Sequence, residues 1–195
     1  MFVTFEGLDG SGKSTQVELL RARLEADAEQ VVATREPGGT ELGEQVRTLV
    51  LHGGHVAPWA EALLYAASRA QLVQEVIKPA LAGGASVICD RYVDSSVAYQ
   101  GVARGLGFER VLELNLTAVE GLLPDRTFLL VLDPAAASER VAREHDRLES
   151  ESDVFHARVK DGYRELAERF PERIVELDAT RPADELSEQV YAALR

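Results

Sequence analysis

Several residue types are scarce in this chain of 195 residues, and each scarcity excludes a class of protein. Cys89 is the only cysteine, so no disulfide can form within the chain, and its apolar neighbours predict a buried core residue rather than a reactive thiol. No apolar run is long enough to span a membrane, and the short apolar stretch at the amino terminus does not resemble a secretory signal. These absences favour a cytoplasmic protein with no membrane partner.

Positive charge is scarce as well. Lys13, Lys78 and Lys160 are the only lysines, and the formal net charge is −12 at pH 7. This balance argues against a general binder of polyanions such as DNA, so no nucleic-acid partner is expected. A phosphate site in such a chain must gather its positive charge locally. The length suits one α/β domain, residues 1–195, and an apolar content of 46% is enough for an ordinary core.

A glycine-rich segment near the amino terminus matches G-x-x-x-x-G-K-[ST], the pattern of a phosphate-binding P-loop. It consists of Gly7, Leu8, Asp9, Gly10, Ser11, Gly12, Lys13, Ser14 and Thr15. Glycines allow a tight turn whose backbone N–H groups point inward, and the positive end of a following helix adds to their attraction for phosphate. Lys13 would lie over the β- and γ-phosphates of a nucleotide, and the Ser14 hydroxyl would bind Mg²⁺.

The sequence around this segment predicts alternating strands and helices. An apolar run at 1–5 precedes the loop, and helical apolar spacing follows it at 16–24. Further strands are predicted at 30–34, 85–89, 127–132 and 173–177. Further helices are predicted after a cap at Thr40, from 59 to 81 with Pro58 in the first turn, and at 96–103, 108–120, 135–143, 153–169 and 183–194.

Five strands separated by helices predict an α/β fold, a doubly wound parallel sheet flanked by helices, of the P-loop NTPase type. Ligands of such sheets bind beyond the carboxyl ends of the strands. The chemistry is therefore expected directly after Phe5, Thr34, Cys89 and Leu132.

Two charged residues follow the third predicted strand directly. Asp90 could hold the coordination shell of Mg²⁺, as an acid at the end of an apolar strand does in other P-loop proteins. Arg91 offers a planar fork suited to a phosphate. A plain surface ion pair between Asp90 and Arg91 is the alternative.

Three arginines follow the fourth predicted strand: Arg140, Arg143 and Arg147. Phosphoryl transfer spreads negative charge over several oxygens, and arginines that close over them stabilise it. An arginine lid also excludes the water that would otherwise accept the phosphoryl group. A solvated, charged helix end is the alternative.

Six motifs, in this order and spacing, resemble the thymidylate kinase (dTMP kinase) family. They are the P-loop at 7–15, TREPGGT at 34–40, YAASR at 65–69, DRY at 90–92, AYQG at 98–101 and DRLE at 146–149. The resemblance continues to 178–182 and so covers nearly the whole chain. It implies the reaction ATP + dTMP → ADP + dTDP with Mg²⁺ and no covalent enzyme intermediate. It also implies a homodimer formed through long helices; the alanine-rich face at 62–70 is a candidate, although a helix buried within one protomer has the same pattern.

The resemblance implies roles for residues around the acceptor base. Arg69 would reach the carbonyl edge of thymine, and Tyr65, one helical turn earlier, would stack on the base. Ser96 would lie on the N3 side of the pyrimidine, and Gln100 is a further candidate there. Tyr99 would lie under the sugar and exclude a 2′-hydroxyl. Simple packing is the alternative for both tyrosines.

It implies further roles around the phosphates. Asp9 would contact the 3′-hydroxyl of dTMP and help to organise the acceptor phosphate, although a solvent-facing loop residue would look the same. Arg91, together with Arg35 and Arg47, would hold that phosphate. Three consecutive residues would border the donor adenine: Thr180, Arg181 and Pro182.

One position assigns the chain to a subtype. Some family members carry a basic residue inside the P-loop where this chain has Gly10, so the catalytic arginine must come from a short lid at 140–152. Arg143 and Arg147 are the two candidates. Leu148 stands where other members carry an aromatic residue, so no base or sugar contact is assigned to it.

Two other functions compete with this interpretation. A P-loop kinase for another nucleotide or a nucleoside could use Glu6 as a base for a 5′-hydroxyl, but the paired phosphate-binding arginines argue against a nucleoside. A nucleotide-dependent switch or scaffold would need different signals. A GTPase usually shows Asn-Lys-x-Asp, whereas Asn115 is the only asparagine and Leu116 follows it. An inactive relative would be expected to lose Lys13 or Asp90.

Overall fold

A computed structural model describes residues 1–140 and 146–195 of the chain. Its centre is a parallel sheet of five strands, in the order β2-β3-β1-β4-β5. The strands are β1 (Phe2–Gly7), β2 (Val31–Arg35), β3 (Ser86–Asp90), β4 (Arg126–Val131) and β5 (Ile174–Asp178). The predicted α/β class, the five strands and their parallel arrangement are confirmed.

Helices connect the strands and cover the sheet. They are α1 (Lys13–Ala26), α2 (Glu41–His52), α3 (Pro58–Leu72), α4 (Lys78–Ala82), α5 (Val93–Ser96), α6 (Phe108–Ala118), α7 (Pro134–Glu139), α8 (Asp153–Arg169) and α9 (Ala183–Ala192). Two π-helical segments are inserted, π1 (Val73–Ile77) and π2 (Val97–Ala103). No helix within 1–140 and 146–195 is both long and apolar enough to cross a membrane.

The register of the sheet brings the predicted site residues to one edge. In the β1–β3 pair, Phe5 lies opposite Asp90, and in the β2–β3 pair Arg35 lies opposite Asp90. The carboxyl ends of β1, β2 and β3 therefore meet, and the loops that follow them surround one crevice. Strand β1 is fully buried, as its apolar run predicts for a central parallel strand.

Most predicted helices are present with small shifts at their ends. Thr40 caps α2 by accepting a hydrogen bond from the backbone N–H of Gly43 at 3.0 Å, as predicted. The long helix predicted at 59–81 runs as α3, π1 and α4 from Pro58 to Ala82. The helix predicted at 135–143 is present as α7 from Pro134 to Glu139, and residues 141–143 of the prediction lie outside the described part.

The helix predicted at 96–103 begins earlier, at Val93, and its second half is the π segment. Its start has a cap that is distant in sequence: the carboxylate of Glu6 accepts hydrogen bonds from the backbone N–H groups of Tyr92 (2.7 Å) and Ser95 (3.3 Å). These donors would otherwise be unpaired at the beginning of a helix. A cap from β1 leaves no local signal, which explains the wrong boundary.

The core confirms the prediction for Cys89, and for the alanine-rich helix face it favours the stated alternative of burial within one protomer. Cys89 is fully buried on β3, and burial raises the pKa of its thiol well above the ordinary value. Ala62 and Ala66 are buried within the protomer, so this face of α3 is not available to a second copy. The exposed large residue on α3 is Leu63, at 54% exposure.

Candidate active site

The P-loop joins the end of β1 to the start of α1. Gly7, Gly10 and Gly12 all have positive φ angles, of 135°, 80° and 97°. A Cβ on Gly7 would lie 2.6 Å from the carbonyl oxygen of Leu130, so the close passage of the loop over β4 requires glycine. The predicted strand–loop–helix context is confirmed, and the amino terminus of α1 faces the loop's concave side.

Lys13 is buried at the base of the loop. Its Nζ donates hydrogen bonds to the carbonyl oxygens of Gly7 (3.1 Å) and Leu8 (2.8 Å). Burial lowers the pKa of Lys13, and the nearby charge of Arg91 acts in the same direction. Phosphate oxygens of a bound nucleotide could replace these two loop carbonyls as hydrogen-bond acceptors of the Lys13 ammonium group.

Ser14 and Asp90 are brought together, as the sequence predicted. The Ser14 hydroxyl donates to Asp90 Oδ2 at 2.7 Å, between the first turn of α1 and the end of β3. One hydroxyl and one carboxylate oxygen beside a phosphate pocket fit the ligand chemistry of Mg²⁺, which takes few protein ligands and completes its shell with phosphates and water. The pair therefore fits a metal bound together with a nucleotide.

Three cavities include Asp9, Gly10 or Gly12 of the P-loop in their lining. The largest, of about 580 Å³, is the phosphate cavity, lined by Asp9, Gly10, Gly12, Lys13, Ser14, Thr15, Arg35, Glu36, Arg47, Asp90, Arg91, Arg140 and Glu149. A neighbouring one of about 380 Å³ on the other side of the loop includes Arg181, Ala179 and Ala183, and Thr180 and Pro182 lie between these residues in sequence. Arg140 lines both, with its guanidinium donating to the carbonyl oxygen of Ala179 at 3.0 Å.

The third cavity is smaller, about 70 Å³, and is called here the acceptor cavity. It is lined by Asp9, Glu36, Pro37, Arg47, Leu51, Tyr65, Arg91, Ser95, Ser96, Tyr99, Gln100, Asp146 and Leu148. It shares Asp9, Glu36, Arg47 and Arg91 with the phosphate cavity, so the two open into each other around these side chains. Leu148, to which the sequence analysis assigned no base or sugar contact, is part of its wall.

Arg91 stands at the junction of these two cavities. One Nη donates to Asp9 Oδ1 at 2.8 Å, and the other donates to Ser95 Oγ (3.2 Å) and the Tyr163 hydroxyl (3.3 Å). Its guanidinium carbon lies 5.3 Å from the ring centre of Tyr99. These contacts fix the planar fork while leaving it at the cavity surface, which is the arrangement expected for binding a phosphate.

Glu6 supports this arrangement from below and does not line either cavity. Its carboxylate accepts hydrogen bonds from Ser95 Oγ (2.5 Å) and the Tyr163 hydroxyl (2.9 Å), in addition to the backbone of α5. Burial raises the pKa of Glu6 to about 7, and the nearby carboxylate of Asp94 adds to this effect. A carboxylate used in this way is not available as a base for a 5′-hydroxyl, so the structure disfavours the nucleoside-kinase alternative.

Arg69 does not reach the acceptor cavity in this structure. Its guanidinium is 1% exposed and lies behind the wall, where it donates to Glu36 Oε2 (2.6 Å), Ser96 Oγ (3.0 Å) and the carbonyl oxygen of Tyr92 (2.9 Å), and also to Asn115. Of the predicted base-side residues, the lining set contains Tyr65, Ser96, Tyr99 and Gln100.

Glu36 is a site residue that the sequence analysis missed. It is 4% exposed, and its Oε1 has no hydrogen-bond partner within the described residues, although it lines both cavities. Burial raises its pKa to about 7 against the opposing effect of Arg69. The sequence signal that could have identified Glu36 is its position directly after Arg35, a predicted phosphate-binding residue.

Of the three arginines predicted to lie in a lid, one lines the phosphate cavity, one is outside the described residues and one is bound to α2 and α3. Arg140 lines the phosphate cavity, whereas Arg143 lies outside the described residues. Arg147 is turned away from the P-loop: its Nη2 donates to Glu61 Oε2 at 2.6 Å and its Nε to the carbonyl oxygen of Val50 at 2.7 Å. In this conformation Arg147 is not positioned to stabilise a transferring phosphoryl group.

Comparisons with known proteins give one consistent result. The family model described as thymidylate kinase matches residues 5–190. A thymidylate kinase of Clavibacter michiganensis subsp. michiganensis is 56% identical over 191 residues, covering 96% of this chain and 90% of its own. One of Deinococcus radiodurans is 50% identical over 197 residues, covering 100% and 96%. The crystal structure of a thymidylate kinase from Ehrlichia chaffeensis superposes with a TM-score of 0.84 at 34% identity, covering 100% of this chain and 97% of that one.

Proposed function

Because the chain belongs to the thymidylate kinase family, we propose that it transfers the γ-phosphoryl group of ATP to dTMP at the junction of its phosphate and acceptor cavities. The products are ADP and dTDP, which supplies dTTP for DNA synthesis. The observation that carries this assignment to particular residues is the position of Arg91. Its guanidinium lines both cavities, so one cation can hold the acceptor phosphate beside the incoming phosphoryl group.

ATP binds along the P-loop in this proposal. The backbone N–H groups of the loop and the amino terminus of α1 hold its phosphates, and Lys13 neutralises charge between the β- and γ-phosphates. The adenine lies toward the cavity that includes Arg181, bordered by Thr180 and Pro182. Ser14 and Asp90 would hold Mg²⁺, which when bound offsets the charge of the donor phosphates.

The acceptor needs no strong general base, because a phosphate oxygen of dTMP is already a nucleophile. That oxygen forms the new bond to the γ-phosphorus while the bond to the β–γ bridging oxygen of ATP breaks, and the bridging oxygen leaves with ADP. Lys13 and Arg91 stabilise the charge that spreads over the transferring oxygens. Arg140 lines the same cavity, and Arg143 stays a candidate for the catalytic arginine of the lid at 140–152.

The base and sugar of dTMP occupy the acceptor cavity in this proposal. Tyr65 stacks on thymine, Ser96 and Gln100 face its polar edge, and Tyr99 lies under the sugar. Asp9 contacts the 3′-hydroxyl, and Arg35 and Arg47 assist Arg91 in holding the phosphate. Arg69 would need a different rotamer to touch the base. In the conformation described it orients Ser96 and Glu36, which do line the cavity.

We further propose that the protein is a single-domain cytoplasmic enzyme that works as a homodimer. The support for a dimer from this chain is an exposed apolar surface on α2 and α3, where Leu42, Leu49 and Leu63 are 42%, 54% and 54% exposed. Replacing Leu63 by glutamate should convert a dimer into a monomer in analytical ultracentrifugation if this surface forms the interface.

A coupled ADP-release assay tests the function. ATP and Mg²⁺ are offered with dTMP, dUMP, dCMP, dGMP and UMP in separate reactions. Strong turnover is expected with dTMP, and at most weak turnover with dUMP.

Lys13→Ala should lower kcat by about 100-fold or more, because the buried cation that stabilises the transferring phosphoryl group is lost, while the melting temperature changes little. Lys78→Ala is the matched control, because Lys78 pairs with Glu120 at the surface and lines none of the three cavities. Turnover with another monophosphate alone would contradict the acceptor assignment.

A further inference from the structure

A buried carboxylate on α3 connects three parts of the chain that are distant in sequence. Glu61 is fully buried, and its two oxygens accept hydrogen bonds from Gln100 Nε2 (2.9 Å), Arg104 Nη2 (3.3 Å) and Arg147 Nη2 (2.6 Å). Gln100 and Arg104 lie on and directly after π2, and Arg147 lies on the turn at 146–152. A charge buried to this degree is tolerated in a protein only where such partners surround it.

The turn at 146–152 is held against α2 and π2 by Arg147 and Glu151. Besides its bond to Glu61, Arg147 donates through Nε to the carbonyl oxygen of Val50 and through its backbone N–H to that of Leu51 at 3.0 Å. A second ion pair joins Arg104 to Glu151 at 2.6 Å. Both ion pairs of the turn, from Arg147 and from Glu151 through Arg104, therefore lead back to Glu61.

The attached turn forms one wall of the acceptor cavity. Asp146 and Leu148, on either side of Arg147, line it. One further lining residue, Gln100, is held by the same carboxylate directly. Tyr65, which also lines the cavity, lies one helical turn after Glu61 on α3. Glu61 does not line the cavity itself, so any effect it has on a ligand there is indirect.

We propose that Glu61 is a positioning residue for the acceptor: it holds Gln100 and, through Arg147, the turn at 146–152 in the arrangement that closes the acceptor cavity. This inference rests on the proposed function, which places dTMP in that cavity. It assigns Arg147 to acceptor binding through Glu61 and not to the transfer of the phosphoryl group.

Steady-state kinetics of Glu61→Gln and Arg147→Ala separate these two roles. Both variants should raise the KM for dTMP by about 10- to 100-fold, the range expected when a hydrogen bond between charged groups is lost, and should change kcat and the KM for ATP by less than about threefold. Arg147→Lys should recover part of the loss because it keeps the charge. A catalytic Arg147 would instead lower kcat at unchanged KM, and that result would overturn the proposal.

The coupling between the two residues gives a second criterion. In the double variant Glu61→Gln/Arg147→Ala the effect on dTMP binding, measured by isothermal titration calorimetry, should be no larger than that of the stronger single variant. Independent, multiplicative effects would mean that Arg147 does not act through Glu61. Glu120→Gln, which removes an exposed carboxylate paired with Lys78, is the control for general charge effects.

Hydrogen exchange of Arg147→Ala keeps the test decisive if Glu61→Gln folds poorly. Arg147→Ala changes a side chain near the surface, and hydrogen exchange of residues 146–152 in that variant should be faster than in the wild type while exchange in β1 and β3 stays the same. Unchanged exchange there would contradict the proposal. Failure of the wild type to bind or phosphorylate dTMP would defeat the proposed function itself, whereas normal wild-type activity with variants of unchanged KM would defeat this inference alone.

Discussion

Arg91 shows how a single residue can combine backbone strain with a functional position. Its φ of 70° lies in the left-handed region, which a non-glycine residue adopts only when its surroundings fix it. Here the surroundings are Asp9, Ser95 and Tyr163 at the guanidinium, and the Glu6 hydrogen bond to the next residue, Tyr92. The strained backbone places the guanidinium at the junction of the two cavities, where the proposed function requires a cation.

Tyr99 gives a clean test of sugar selection. Its ring is 5% exposed and lines the acceptor cavity, and its hydroxyl has no hydrogen-bond partner in the described part of the chain. If the ring excludes a 2′-hydroxyl sterically, Tyr99→Ala should lower the preference for dTMP over its ribose counterpart by about tenfold or more. The measurement is the ratio of kcat/KM for the two acceptors.

Tyr99→Phe is the matched control, because it keeps the ring and removes only the unpartnered hydroxyl. Its preference for deoxyribose should equal that of the wild type. An unchanged ratio in Tyr99→Ala would leave Tyr99 with a packing role only.

Gly10 lies too close to α7 for a side chain. An added Cβ would be 2.3 Å from the carbonyl oxygen of Ala137 and 3.3 Å from Cβ of Arg140. Gly10→Ala should therefore displace α7 from the P-loop and raise the KM for ATP by about tenfold or more, because Arg140 moves with that helix. A basic residue at this position, as in other members of the family, would meet the same obstacle.

A second glycine separates the clash from the backbone strain. Gly84 has nearly the same φ, 82° against 80°, but nothing lies within 4 Å of an added Cβ. Gly84→Ala should lower stability through its φ and leave the KM for ATP unchanged. Equal ATP kinetics in both variants would show that the contact with α7 does not matter for donor binding.

At the scale of elements, the contact between α8 and π2 depends on Gly162. A Cβ there would lie 2.9 Å from Cα of Ala98 and 3.1 Å from Cβ of Val102, so the two helices pack backbone against backbone. Gly162→Ala should lower the free energy of unfolding by about 1–3 kcal/mol, since overpacking outweighs the helix propensity gained.

Urea denaturation of Gly162→Ala measures this effect. Gly54→Ala is the control, because an added Cβ at Gly54 meets nothing within 4 Å and its φ is not in the left-handed region. A Gly162→Ala variant as stable as the wild type would mean that the two helices can separate without cost.

The elements were predictable from sequence where their signals are local. Apolar runs indicated the strands, Thr40 and Pro58 marked helix starts, and the P-loop pattern carried its own strand–loop–helix context. The start of α5 was not predictable, because its cap is the carboxylate of Glu6, which comes from 86 residues earlier. The packing of π2 against Gly162 of α8 is likewise a contact that the composition of π2 does not indicate.

At the scale of the molecule, the meeting of the carboxyl ends of parallel strands at one edge of the sheet gathers the candidate site, as the sequence analysis expected. It brought the P-loop, Asp90 and Arg91 together around one crevice and so concentrated cations in a chain of net charge −12. The buried acids that organise the crevice were missed or misread. Glu6, Glu36 and Glu61 act through partners 33 to 157 residues away, and no spacing along the chain indicates such contacts.

Two of these buried acids make stability depend on pH. The pKa values of Glu6 and Glu36 are raised to about 7 from an ordinary value of 4.5. Between these limits the folded protein holds protons that the unfolded chain has released. Each group should therefore lower the free energy of unfolding as pH rises, by at most about 1.4 kcal/mol per pH unit, and the loss should level off above pH 7.

Glu6→Gln isolates the contribution of one group. The variant keeps an oxygen that can accept from Ser95 and Tyr92 but no longer titrates, so its stability relative to the wild type should rise from pH 5 to pH 7 and then stay constant. Urea denaturation at steps of about half a pH unit measures this difference. Glu113→Gln, which removes an exposed carboxylate on α6, is the control for the loss of one negative charge. A constant difference for Glu6→Gln would mean that this carboxylate is ionised in the folded protein throughout the range, and that its hydrogen bonds outweigh its burial.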